Sequence, residues 1–507
     1  MEAWQHGVCE LARRVRRTEL SAIEVAESFL GRIESASQKI PAFVTVDFEG
    51  ARRQARRIDE ACRRGADPGP LCGVPIGLKD NFVTKGLPTT CSSRMLRGWV
   101  APYEGAQAGR LERAGAIILG KLDMDEFAMG SSNETSHFGT VPNPWAADRV
   151  PGGSSGGCAA SVAAGLCLAA LGSDTGGSVR QPAAFCGVTG VRPSYGRVSR
   201  YGLVAFASTL DQPGPLGRSA RDCAALLEAV AGQDPMDSTT ADLDVGEYQR
   251  ACLQGMAGMT LGVPEEYFGS EVDAEVGARV REAISILEGA GAEVVSISLP
   301  HTDLGVAAYY VIASAEASSN LARFDGVRYG YRATGDADLD EMYCRTRSEG
   351  FGWEVKRRIM LGTFALSDGC YEEHYDKAQR VRSLICRDFA EAFDICDVIV
   401  TPTTPEPPFK KGARLSDPVS MYLSDVFTVP ASLAGLPAMS VPCGFVGCGL
   451  PIGMQLVGAP FREEEIFRVA GEYQRLTDHH AEQPPLAGRL STRSVPQGVP
   501  ERGGERR

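Results

Sequence analysis

The chain has 507 residues, 43% of them hydrophobic and 23% charged, a balance ordinary for a folded globular protein and incompatible with a largely disordered one. Lys and Arg total 52 against 64 Asp and Glu, a net charge of −12, so the chain as a whole repels phosphate backbones. Fifteen cysteines are scattered from Cys9 to Cys448 without a C-x-x-C pair, which excludes a zinc ribbon and a redox motif and predicts reduced, mostly buried thiols in a cytoplasmic protein.

The N-terminus, MEAWQHGVCELARRVRRTEL, has no apolar signal core and carries Glu among its basic residues. Residues 1–65 read as a helical segment. Ser21 followed by Glu24 has the spacing of a capping box, and Ala22, Val25, Ala26, Phe29, Leu30 and Ile33 then recur on one helical face. A second, Arg-rich helix is expected from Phe48 to Arg64, stopping at Gly65. Its arginines suit either a basic partner surface or a solvated face; Asp59 and Glu60 interrupt the run and favour the latter.

From residue 70 onward, strand-like runs alternate with helical ones. Val74–Leu78, Ala116–Leu119, Leu166–Leu171, Glu293–Ile297 and Val398–Val400 read as buried strands. The alternation predicts an α/β fold with a central sheet covered by helices. The uncharged stretch Gly156–Ser173 is too rich in Gly, Ala and Ser for a membrane span, which needs about 20 predominantly apolar residues. Beyond Asp478 the chain turns Pro-, Gly- and Arg-rich, so residues 479–507 are expected to be a flexible tail on a domain spanning 1–478.

The chemistry concentrates in Pro151–Arg180, PGGSSGGCAASVAAGLCLAALGSDTGGSVR, where two Gly/Ser turns bracket a small-residue helix and a strand. Such turns bring backbone N–H groups close to one point, where they can bind a phosphate or stabilise an oxyanion. A phosphate loop is disfavoured because G-x-x-x-x-G-K-[ST] is absent. Gly152–Gly156 satisfies G-x-S-x-G, but a nucleophile elbow needs a strand immediately before the serine, and Pro142, Pro144 and Pro151 make this approach a loop. Six histidines, two of them at the edge of the tail, give weak support to a Ser-His-Asp triad. A lysine-activated serine is the third reading, with Lys79 of GVPIGLKDN at the end of an apolar strand, where burial would depress its pKa.

GVPIGLKDN, PGGSSGG and GSDTGGSVRQPAAFCG, with Ser154 75 residues after Lys79 and Ser178 24 residues after Ser154, together resemble the amidase signature family. The resemblance implies a single large α/β domain around a mixed, twisted sheet. It also implies a Ser-cisSer-Lys catalytic set in which Ser178 is the nucleophile, Ser154 the relay on a cis peptide and Lys79 the base. Thr175, Gly176, Gly177 and Ser178 would supply the oxyanion hole. Ser155 would support the relay serine, and Cys158 reads as packing.

Three further segments, Tyr309–Tyr329, Gly352–Ser367 and Tyr422–Pro437, are similar to the glutaminase chains of bacterial tRNA-dependent amidotransferases. That similarity implies hydrolysis of free glutamine, with Arg358 for its α-carboxylate, Asp425 for its α-ammonium and Tyr309 in the pocket. From the residues alone, Arg358, flanked by Lys356 and Arg357, reads as a surface helix residue, and Asp425 reads equally as a helix N-cap. The resemblance further implies a heterotrimer with the B and C chains of the amidotransferase. Misacylated tRNA would be held mainly through the B chain, and ATP and Mg used there, with no cofactor or metal in this chain. A free-standing hydrolase of small amides is the alternative.

Overall fold

The computed structural model describes residues 2–335 and 338–490. Eleven strands form one sheet: β1 (Phe43–Val46), β2 (Pro75–Lys79), β3 (Ile117–Leu122), β4 (Ala169–Asp174), β5 (Thr189–Arg192), β6 (Gln212–Gly217), β7 (Thr260–Pro264), β8 (Glu293–Ile297), β9 (Val398–Pro402), β10 (Ala438–Phe445) and β11 (Pro451–Gly458). Their spatial order is β1-β3-β2-β4-β6-β5-β10-β11-β9-β7-β8. β2 runs parallel to β3 and β4, and β7 parallel to β8 and β9; the remaining pairs are antiparallel. The sheet is therefore mixed, as expected.

Successive strand residues point to opposite faces, and both faces are covered. On β9, Val398 and Val400 join one apolar core while Ile399 joins the other. Two-sided burial explains why these strands carry almost no polar alternation.

The expected strands near residues 74, 116, 166 and 398 are present, with bounds shifted by at most three residues. Glu293–Ile297 is not a buried strand. It is the last strand of the sheet, and Glu293 and Ser296 are exposed. Six strands escaped the sequence reading. Four of them, QPGPLG, TLGVP, AMSVPCGF and PIGMQLVG, contain both Pro and Gly, which normally argue against strand interiors.

The N-terminal segment is helical over Ala22–Ala36 and Phe48–Arg63, with β1 between them. The capping box at Ser21 does not form. Asp59 of the Arg-rich helix replaces it, accepting from the N–H groups of Ala22 at 2.7 Å and Ile23 at 3.1 Å and from Ser21 Oγ at 2.7 Å. The tail also begins later than expected. Ala487 and Leu490 are buried, and Arg32 donates to the Ala487 carbonyl at 3.2 Å while its guanidinium lies 4.1 Å from the Trp4 ring centroid. The rest of the expected flexible tail, residues 491–507, lies outside the described residues. All fifteen cysteines are free and nine are buried. Among the described residues no helix is long and apolar enough to cross a membrane.

Candidate active site

The site lies where the parallel strands β2 and β4 end. Lys79 is the last residue of β2 and Asp174 the last of β4, so both strands leave the sheet at the same edge. Crevices outside the carboxyl ends of parallel strands are the usual ligand positions in α/β sheets.

Lys79 Nζ donates to Ser154 Oγ at 2.8 Å, to Ser173 Oγ at 3.0 Å and to the Ser173 carbonyl at 3.1 Å. Lys79 and Ser154 have no exposed surface, while Ser178 keeps 8%. Of the three, only Ser178 can be reached by a ligand. Burial lowers the Lys79 ammonium to about 8, partly offset by the Cys158, Asp125, Asp174 and Asp211 groups around it. The Gly153–Ser154 peptide bond is cis. The Ser155 N–H donates to the Ser178 carbonyl at 3.1 Å, clasping the two Gly/Ser turns together.

Ser155 Oγ donates to the Ser173 carbonyl at 3.2 Å, so its side chain supports the lysine's acceptor rather than Ser154 itself. The buried Cys158 thiol, pushed up to about 12 by burial, packs beneath and donates weakly to the Leu171 carbonyl. That agrees with a packing role.

The second turn is held from behind. Asp174 accepts from the Val179 N–H at 3.1 Å and from Arg180 Nε and Nη2 at 3.0 Å. These arginine contacts, with Arg192 beside them, hold the carboxyl down at about 2 despite burial. Thr175 Oγ1 donates to Asp211 at 2.7 Å, and Thr428 Oγ1 donates to the Gly176 carbonyl at 2.7 Å. Gly177 has φ +152°, and a Cβ there would stand 2.1 Å from Thr428 Oγ1, so no other residue fits. Among the described residues the N–H groups of Gly176, Gly177 and Ser178 donate to no acceptor. Buried backbone donors are nearly always paired, so this turn presents N–H groups to whatever occupies the space before it.

Tyr309 and Asp425 border the same turn. A Cβ at Gly176 would stand 2.7 Å from the Tyr309 ring, and one at Gly177 would lie 3.4 Å from Asp425 Oδ1. Asp425 does not cap a helix with its side chain. Its Oδ2 accepts from Ser131 Oγ, and its buried Oδ1 has no partner among the described residues. Burial raises the Asp425 carboxyl to about 7.

Arg358 is no surface residue either. It is 3% exposed, lies 5.0 Å from the Tyr310 ring centroid and 5.5 Å from that of Tyr422, and pairs with Glu354. Sequence reasoning missed Ser173, Asn81, Ser131 and Glu354. Glu354 sits four residues before Arg358 on one helix, a spacing that puts the pair on one face, whereas Asn81 lies in the turn just beyond the strand that ends at Lys79. Nothing in the sequence marks Ser131.

Residues 24–467 match the amidase family model. Among curated proteins, the chain is 54% identical over 486 residues to the A subunit of glutamyl-tRNA(Gln) amidotransferase from Moorella thermoacetica, covering 96% of this chain and 99% of that one. It is equally identical over 481 residues to the corresponding protein of Roseiflexus castenholzii, at 95% and 98% coverage. Among solved structures, the A subunit of glutamyl-tRNA(Gln) amidotransferase from Thermotoga maritima superimposes with a TM-score of 0.75 at 39% identity, covering 94% of this chain and 95% of that one. The 6-aminohexanoate cyclic dimer hydrolase superimposes at 0.83 with 26% identity, covering 96% and 99%. Because the family match runs through Lys79, both Gly/Ser turns and the strands that carry them, this chain belongs to the amidase family.

Proposed function

We propose that this chain is the glutaminase subunit of a tRNA-dependent amidotransferase. The observation that carries the reading is the pair of buried opposite charges near the nucleophile turn: the Arg358 guanidinium and the Asp425 carboxylate with its unpartnered Oδ1. Free glutamine bears one carboxylate and one ammonium besides its amide, and buried charges are tolerable where a charged ligand pairs them. A pocket for a neutral amide has no use for both. The relatives named as glutamyl-tRNA(Gln) amidotransferase, similar over nearly the whole chain, support the same reading.

Neutral Lys79 takes the proton of Ser154, which takes that of Ser178 as Ser178 Oγ attacks the side-chain carbonyl carbon of glutamine. The unpaired N–H groups of the 176–178 turn stabilise the oxyanion. The relayed proton returns to the departing nitrogen, which leaves as ammonia with a glutamyl ester on Ser178. Water, deprotonated through the same relay, then cleaves the ester to glutamate and restores the serine. Tyr309 closes the pocket against Gly176.

Ammonia passes to the B chain of the heterotrimer, which binds the misacylated tRNA and activates its acyl group with ATP and Mg. The small C chain joins the two, in the cytoplasm. The test is the chain co-expressed with such partners, assayed for glutamate release and for conversion of Glu-tRNA(Gln) to Gln-tRNA(Gln). The reading fails if the chain alone hydrolyses many uncharged amides and ignores glutamine, which is how a free-standing hydrolase would behave.

A further inference from the structure

We infer that Ser173, steered by Asn81, is the positioning residue that aims the lone pair of Lys79 at Ser154. The inference deepens the mechanism above and rests on it. A neutral amine has two hydrogens and one lone pair. Lys79 Nζ has three polar neighbours: Ser154 Oγ, Ser173 Oγ and the Ser173 carbonyl. For Nζ to accept from Ser154, both of its hydrogens must go to the other two, and both of these belong to Ser173.

Each acceptor is itself held. The β2–β4 ladder ends at the Leu78–Leu171 pair, and beyond it the Ser173 carbonyl accepts from Lys79 Nζ and from Ser155 Oγ at 3.2 Å. Asn81 Nδ2 donates to Ser173 Oγ at 2.9 Å. A hydroxyl has two lone pairs and one hydrogen. With Asn81 on one lone pair and Lys79 on the other, the Ser173 hydrogen points away from Nζ and does not compete for the amine's lone pair. Ser173 is 2% exposed and Asn81 equally so, leaving water no access to scramble the arrangement.

The same three contacts serve both protonation states. As an ammonium, Lys79 donates to all three oxygens; as a free amine it keeps the two on Ser173 and reverses only the bond to Ser154. The proton therefore moves without displacement of a heavy atom. Ser173 is almost fully buried and acts through Lys79, to which both its hydroxyl and its carbonyl are bonded.

The experiment compares Ser173→Ala, Ser173→Thr and Asn81→Ala with the wild type, in the assembled complex, by steady-state glutamine hydrolysis from pH 6 to 10. Ser173→Ala should lower kcat about 10²-fold, within the range of a general base's contribution, with KM moved less than about twofold. Its acid limb should shift to lower pH, because removing an acceptor from the ammonium destabilises the charged form. Ser173→Thr keeps the hydroxyl and should restore both the rate and the limb. Asn81→Ala should shift the same way, by about tenfold in kcat, and it tests the arrangement even if Ser173→Ala does not fold. Ser173→Ala or Asn81→Ala with a wild-type rate and an unmoved limb overturns the proposal, as does a Ser173→Thr enzyme as slow as a folded Ser173→Ala. A wild type inactive on glutamine but active on a small amide would instead overturn the substrate reading, and the same comparison on that amide would still decide this one.

Discussion

The Nε of Arg358 donates to Glu354 Oε1 at 2.8 Å, and the Tyr422 hydroxyl donates to the same oxygen at 3.1 Å. Glu354 thus occupies one edge of the guanidinium, and among the described residues the two terminal nitrogens of Arg358 have no hydrogen-bond partner. Those nitrogens form the fork that pairs a carboxylate bidentately. Glu354→Gln keeps the shape but loses the charge that orients the arginine. The expected outcome is a rise of about tenfold in the KM for glutamine, equivalent to about 1.4 kcal/mol, with kcat nearly unchanged. Steady-state kinetics checks it, and a fall in kcat at constant KM would contradict it.

Ser178→Ala should abolish glutamine-dependent transamidation by the complex while transamidation from added ammonium persists, because ammonium bypasses the glutaminase site. Ser155→Ala should retain a measurable glutaminase rate, since Ser155 Oγ reaches only the Ser173 carbonyl. The opposite pattern would place the nucleophile in the wrong turn.

Burial lowers the Lys79 ammonium to about 8, and only the free amine can accept a proton. The rate should therefore climb as pH rises through about 8 and level off above it. Lys79→Ala should cut glutaminase activity by about 10²–10⁴-fold. Lys79→Arg should not rescue it, because a guanidinium stays protonated near neutral pH. A pH-independent rate between 6 and 9, with chemistry limiting, would exclude a neutral-lysine mechanism.

Asp425 titrates at the opposite end of the substrate. Its carboxyl, raised by burial to about 7, becomes neutral as pH falls and then offers no charge to an ammonium group. The KM for glutamine should rise below about pH 7, while kcat follows the Lys79 limb. Asp425→Ala should lower kcat/KM for glutamine by about 10²-fold or more, the scale of an unpaired buried charge, while Ser178 still reacts with a small electrophilic amide analogue lacking α-charges. Loss of that labelling would mean that Asp425 shapes the turn instead of reading the substrate.

Asp59 caps the helix Ala22–Ala36 from another helix, with contacts to the Ala22 and Ile23 N–H groups. Asp59→Ala should destabilise the chain by about 1–2 kcal/mol, as lost caps do, with glutaminase kinetics unchanged. Glu24→Ala should be neutral, because Glu24 is exposed and makes no capping box. Urea midpoints of the two variants measure the difference.

The Gly/Ser turns were legible in the sequence because the backbone there demands glycine, as where Thr428 leaves no room for a Cβ, whereas the choice of Lys79, Ser154 and Ser178 came from the spacing of three motifs shared with the amidase family and not from any local rule. The helices with one-sided apolar faces and the near-continuous apolar strands were legible from their local pattern. The burial of the charged pair was not. Arg358 sits beside Lys356 and Arg357 in a polar-looking helix, and its burial depends on Phe206, Tyr310 and Tyr422, distant in sequence and met only on folding. Helix capping by Asp59, the six unrecognised strands and the packing of the chain as far as Leu490 share that origin. Each is decided by a partner distant along the chain, and local sequence records what a segment can do alone, whereas burial and pairing depend on which segments the sheet brings together.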